Sequence, residues 1–153
     1  MRFAKIGFLS LVLMAIGFVG NAEAGTDGAD MAVSATGEGT CEIAVNPMNL
    51  GEYDGTAITD IESTLTITCT NLETYSWYAE HSGGNMLHTN GTNVLAYTLT
   101  YGDGKATLPL SGSALEGTGT GAAQTTTIYG SIAADALFIA GSYSDTVTFT
   151  INW

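Results

Sequence analysis

The chain has 153 residues and carries 15 acidic side chains against three basic ones, a formal net charge of −12. Two of the three cations, Arg2 and Lys5, stand at the extreme N-terminus, so Lys105 is the single basic side chain beyond it. A surface this poor in cations cannot displace phosphate counterions, which excludes nucleic acid as a partner, and it argues against binding an anionic membrane. The acidity favours solubility and a basic partner without choosing a fold.

In chain order, Arg2 and Lys5 are followed by an almost wholly apolar run from Ile6 to Val19 and then "NAEAG", with small residues at Ala22 and Ala24. This pattern reads as a secretory signal peptide over residues 1–24, cleaved after Ala24. The competing reading is a membrane anchor, but a spanning helix needs roughly 20 apolar residues and this run is shorter. No second segment is apolar for long enough to insert in a membrane after cleavage. Removing 24 residues from 153 leaves 129, one ordinary domain, in which one lysine faces 14 acids for a net charge of −13.

The next segment, residues 25–40, holds "ADMAVSAT", in which Met31, Val33 and Ala35 alternate with Ala32, Ser34 and Thr36. It reads as a short strand set between Gly25 and Gly28 on one side and Gly37 and Gly39 on the other, and so as a detachable arm. Two readings are open: the arm folds back on its own domain, or it pairs with another molecule.

From residue 41 to 153 the sequence is a succession of short β-rich runs broken by turn residues: "CEIAV", "NLGEY", "STLTITCT", "YSWYAE", "NMLHTNGTNVLAYTLTYG", "KATLPLS", "QTTTIYGSI" and the terminal "YSDTVTFTINW". Asn90-Gly91 is a strong turn dipeptide between apolar stretches. Such spacing, with Thr and Val enrichment and no amphipathic helix, predicts an all-β, immunoglobulin-like antiparallel sandwich. Cys41 shares a face with Ile43 and Val45, and Cys69 with Leu65 and Ile67, so both sulfurs point inward. In an exported chain this predicts a Cys41–Cys69 disulfide; free buried thiols or half a metal site are the alternatives, and nothing nearby supplies further zinc ligands.

In the terminal run, Val147, Phe149, Ile151 and Trp153 fall on one face and Thr146, Thr148, Thr150 and Asn152 on the other, a period-2 pattern. A sandwich that ends on a core strand leaves an open edge and a groove beside it, and such an edge templates pairing with another chain. The sandwich is therefore expected to be incomplete, its last strand supplied from elsewhere.

Chemistry is sparse. "GTGTGAAQTTTIYG" spaces Gly117, Gly119 and Gly121 as GxGxG and runs into a strand, not a helix, so it is a turn and no phosphate loop. His81 and His88, with Glu80 adjacent, could hold a metal in principle, but solvent-facing positions near the "HSGGN" turn are the expectation. No nucleophile–base set or paired carboxylates stand out, which argues against an enzyme, and no cofactor or metal is implied. Tyr75 and Trp77 share a phase and are expected in the core, with Tyr78 facing out. Asn90-Gly91-Thr92 fits a glycosylation sequon but is explained as a turn.

"CEIAVNPMNLGEYDG", "LTITCTN", "GTGTGAAQTTTIYG" and the closing "AGSYSDTVTFTINW", in this order over nearly all of residues 31–153, resemble the spore coat protein U-like pilins, subunits of archaic chaperone–usher pili. The resemblance implies a structural fimbrial subunit that polymerises by donor-strand complementation and exchange. A periplasmic chaperone first lends a strand, and at the outer-membrane usher the N-terminal arm of a neighbouring pilin subunit replaces it. Here the arm would be Ala29 to Thr36, inserting Met31, Val33 and Ala35, and the acceptor groove would be lined by the strand from Asp145 to Trp153, with Val147, Phe149, Ile151 and Trp153 inward. A single domain fits a shaft or adaptor subunit. The implied location is the periplasm, then the cell surface. The rivals are a non-pilus secreted coat or matrix protein of the same fold and a carbohydrate-binding adhesin using Trp77 or Tyr78.

Overall fold

A computed structural model describes residues 25–135 and 137–153; the signal-peptide expectation for residues 1–24 lies outside them. Among the described residues all strands belong to one compact unit, Thr36–Trp153. They are β1 (Cys41–Val45), β2 (Ile58–Cys69), β3 (Thr74–Glu80), β4 (Asn85–His88), β5 (Val94–Ala96), β6 (Thr98–Tyr101), β7 (Ala106–Thr107), β8 (Leu115–Thr118), β9 (Ala123–Ile132), β10 (Tyr143–Ser144) and β11 (Thr148–Asn152). A five-stranded sheet runs β1-β2-β9-β6-β7, a three-stranded sheet β11-β3-β8, and a second three-stranded sheet β10-β4-β5. Every strand pairing is antiparallel.

Alternation in sequence sets which face is buried. Leu65, Ile67 and Cys69 of β2, Trp77 and Ala79 of β3 and Ile128 of β9 form one continuous core between the two larger sheets. The threonines between Leu65, Ile67 and Cys69 turn outward and keep the sheet soluble with few charges. A second cluster, Leu95, Tyr97 and Ile132, lies under the small sheet. Trp77 is 4% exposed and meets Tyr101 edge-on at 5.5 Å, as the core reading of the aromatic cluster expects.

Cys41 and Cys69 are bonded and directly opposed in the β1–β2 ladder. The bridge therefore staples β1 to β2 within one sheet. Closing a loop with a separation of 28 residues restricts the unfolded chain by about 3.5 kcal/mol on the chain-entropy account.

Several expectations are corrected. "NLGEY" is no strand: Gly51 takes φ +88°, and the segment crosses β9 where Gly130 has no side chain. A Cβ on Gly130 would lie 2.3 Å from Met48 Sδ. "ADMAVSAT" forms no strand among the described residues. "KATLPLS" contributes only the two residues of β7. Part of the glycine run is strand, since Gly117 pairs with Tyr75 across β8 and β3. The tyrosine ring lies over the glycine, where a Cβ would sit 2.4 Å from its Cζ, the arrangement in which an aromatic covers a strand glycine.

Among the described residues, one buried side-chain atom lacks a hydrogen-bond partner, Oε1 of Gln124, opposite Ile67 in the β2–β9 ladder. An orphaned acceptor carries its desolvation cost, whereas an apolar side chain of the same shape does not. Gln124→Met is expected to stabilise the domain by ~1 kcal/mol, read as a raised urea midpoint at unchanged slope.

Candidate functional site

The two larger sheets each present an unpaired edge on the same side of the sandwich. Among the described residues β1 is laddered only to β2, and β11 only to β3. The two strands run alongside each other, yet no ladder joins them. The result is a seam along which, among the described residues, neither strand edge has a ladder partner.

Exposure across each ladder shows what the seam lacks. Val45 and Leu65 are directly opposed on β1 and β2 and share the inward face; Leu65 is 1% exposed and Val45 41%. On the other wall, Phe149 opposes Ala79 and Ile151 opposes Trp77. Ala79 and Trp77 are buried, while Phe149 and Ile151 are only half-buried. Inward-facing side chains thus lose cover at the seam, and on the Ile151–Trp77 rung also at the far edge, where Leu115 opposes Trp77 and is 38% exposed. Val147 touches both core clusters. Trp153 lies one residue past β11, is 60% exposed, and shares a shallow depression with Tyr75, Glu116 and Asn152.

The expected terminal strand from Asp145 is shortened, because Asp145 is held by side-chain bonds before the ladder begins. Its Oδ2 accepts from the Tyr97 hydroxyl at 2.5 Å and the Ser82 hydroxyl at 2.8 Å, and its Oδ1 from the Thr146 amide at 2.8 Å. Burial pushes the Tyr97 phenol well above its ordinary value, and the adjoining carboxylate adds to the shift. Burial acts to raise the Asp145 carboxyl too, but the hydrogen bonds from Tyr97, Ser82 and Thr146 outweigh it and hold it below the usual range. A carboxyl depressed in the folded state contributes stability that is present above its unfolded value and is lost as pH falls through the folded one. The expected result is that Asp145→Asn flattens the acid limb of a melting-temperature profile below about pH 4 and leaves the neutral region's slope unchanged.

The remaining sequence candidates are dispersed. Met31 and Val33 are 83% and 82% exposed, in the unit that precedes Thr36; Ala35 is exposed as well. Tyr78 is half-buried on the outer face. His81 is half-buried and accepts from the Gly84 amide at 2.9 Å, a local turn bond. His88 is corrected from solvent-facing to buried, at 8% exposure. It lies edge-on to Tyr143 at 4.8 Å, accepts from the Asn90 amide and contacts the Ala140 carbonyl, filling the space that Gly141 leaves. Among the described residues no group of three or more His, Cys, Asp or Glu is placed to hold a metal ion.

Two features escaped sequence reading. Val45 and Ile43 form the second wall, and their phase with Cys41 was the available signal. The Asp145–Tyr97–Ser82 grip joins residues far apart in the chain and left no local pattern.

An all-β, immunoglobulin-like sandwich of this kind is the fold of chaperone–usher pilins. The chain belongs to the Spore Coat Protein U domain family, whose model matches residues 28–150. No curated protein matches it significantly. Among solved structures it is similar to one described as the CsuC–CsuE chaperone–tip adhesion subunit pre-assembly complex from archaic chaperone–usher Csu pili of Acinetobacter baumannii. The TM-score is 0.59 at 16% identity, over 76% of this chain and 40% of that one. At this identity the likeness concerns the fold alone, and the chain spans about two fifths of its neighbour's length.

Proposed function

We propose that the protein is a structural pilus subunit, and that the seam between β1 and β11 receives a strand from another chain. The observation that carries this reading is the loss of cover along single ladder rungs: Leu65 is 1% exposed, and its inward-facing neighbour Val45 is 41% exposed. β1 and β11 approach within 8 Å, less than the roughly 9.6 Å that two strand spacings require, so an incoming strand would part them as it pairs with both free edges and covers Val45, Phe149 and Ile151 together. Filling several hundred Å² of apolar seam at about 25 cal/mol per Å² is worth on the order of 10 kcal/mol before ordering costs.

The donor is the arm Ala29 to Thr36 of a neighbouring subunit, with Met31, Val33 and Ala35 directed into the seam. Met31 and Val33 are the two large inserts and would carry most of the buried area. A periplasmic chaperone occupies the seam before assembly, and exchange for an arm takes place at an outer-membrane usher. The contact is head to tail and does not close, so it propagates as a fibre. The role is structural, with no catalysis, and the sites of action are the periplasm and then the cell surface. The resemblance to a complex described as a chaperone with a pilus subunit, together with family membership, supports the partners.

The test is electrophoresis in SDS without boiling, on protein co-expressed with its chaperone and usher. A ladder of multiples that collapses on boiling is expected. A lone monomer band would overturn the reading.

A further inference from the structure

The acceptor wall is held in an unusual way. β11 is a five-residue strand with a ladder on one side only, and by itself such an edge frays easily. Its entry point, however, is gripped. One carboxylate, that of Asp145, takes hydrogen bonds from Tyr97 at the β5–β6 junction and from Ser82 in the β3–β4 turn. Ser82 also lies 2.7 Å from the Asn85 carbonyl at the start of β4. Tyr97 is 8% exposed and belongs to the second core cluster, so the grip is anchored in packed structure. Two residues further on, Val147 bridges both clusters, and Phe149 follows as the first inward side chain of β11.

We propose that Asp145 is a positioning residue for strand acceptance: through Tyr97 and Ser82 it presets where β11 enters the seam, so that the empty edge is already in register for an incoming strand. This rests on the donor-strand reading above and adds to it a specific device. A preset edge spares the ordering cost that a frayed one would add at the moment of binding. The grip acts through Val147 and Phe149 and touches no donor residue itself.

The test compares Tyr97→Phe and Asp145→Asn with Tyr53→Phe in the chain lacking residues 1–24. Tyr53 is a matched control. Its hydroxyl donates to the Ala133 carbonyl at 2.7 Å and its ring packs on the same cluster, but it has no bond to the β11 approach. Two readouts are taken: hydrogen exchange of the Thr148–Asn152 amides, and affinity for a synthetic peptide of residues 29–36. Tyr97→Phe and Asp145→Asn are expected to speed exchange in β11 at least ~10-fold and to weaken peptide binding by about 10-fold, while Tyr53→Phe changes neither. Equal effects from all three variants, or none from the first two, would overturn the proposal. If the unmutated chain takes up no peptide, the donor-strand reading fails by itself. Exchange in β11 then still decides the grip: selective loosening supports it and uniform loosening overturns it.

Discussion

Deleting residues 25–37 is expected to yield subunits that fold, keep the Cys41–Cys69 bridge and never link to one another. Among the described residues every strand and both core clusters lie at or beyond Cys41, so the deletion spares all of them. A subtler variant gives the same outcome. Val33→Asp puts a carboxylate where the proposed joint is apolar, and burying an unpaired charge costs several kcal/mol. A loss of about 4 kcal/mol weakens the joint roughly 1,000-fold. In unboiled SDS electrophoresis the ladder is replaced by a single band, while circular dichroism of the purified subunit keeps its β spectrum and its melting temperature. A ladder that survives either change would place the joint elsewhere on the molecule.

The second large effect runs in the opposite direction. Appending the segment Ala29–Thr36 after Trp153 through a short flexible linker gives the seam an occupant within the same chain. Val45, Phe149 and Ile151 then gain cover, and the free edges of β1 and β11 gain a partner. Tethering removes most of the association cost, so a larger share of the roughly 10 kcal/mol of gross burial appears as stability. A net gain of about 4 kcal/mol corresponds to a rise in melting temperature on the order of 15 °C for a domain of this size. Such a chain is expected to melt higher and to remain monomeric, because its acceptor is filled. An appended segment carrying Val33→Asp is the control and should give little of the gain. An unchanged melting temperature with the unmodified segment would mean that the seam is not a strand-sized vacancy.

What could be read in the sequence follows from how local the signal is. Leu65-Thr66-Ile67-Thr68-Cys69 alternates without interruption, and the structure makes it the centre of β2, with the apolar members buried. The cysteines were legible because each sits in phase with its own strand's apolar face. Asn90-Gly91 marked its hairpin tip through a backbone requirement, since Gly91 takes φ +75°, and the Asn90 side chain caps the Thr92 amide.

Features fixed by partners distant in the chain were not legible. The burial of His88 depends on Gly141, where a Cβ would collide with the imidazole, and nothing around His88 announces that. The segment through Met48 and Leu50 lies over β9 because Gly130 makes room, so its apolar residues mimic a strand without being one. The small sheet β10-β4-β5 is built from strands of two to four residues, too short for periodicity to register. At the candidate site the alternation of Val147, Phe149, Ile151 and Trp153 marked an apolar face on the terminal run, of which Phe149 and Ile151 lie in β11 and Trp153 is 60% exposed just past it. The opposite wall appeared only once the fold set β1 alongside β11.

Trapping the joint covalently shows whether a neighbour's arm lies in the seam. Val33→Cys is combined, one variant at a time, with Val147→Cys, Phe149→Cys or Ile151→Cys, and the assembled protein is oxidised and run boiled in SDS without reductant. A covalent ladder of multiples is expected for at least one pairing, dissolved by reductant and absent when Val33→Cys is present alone. Bridges that form only within single chains, or no bridge from any of the three positions in protein that has assembled, would contradict the donor-strand reading.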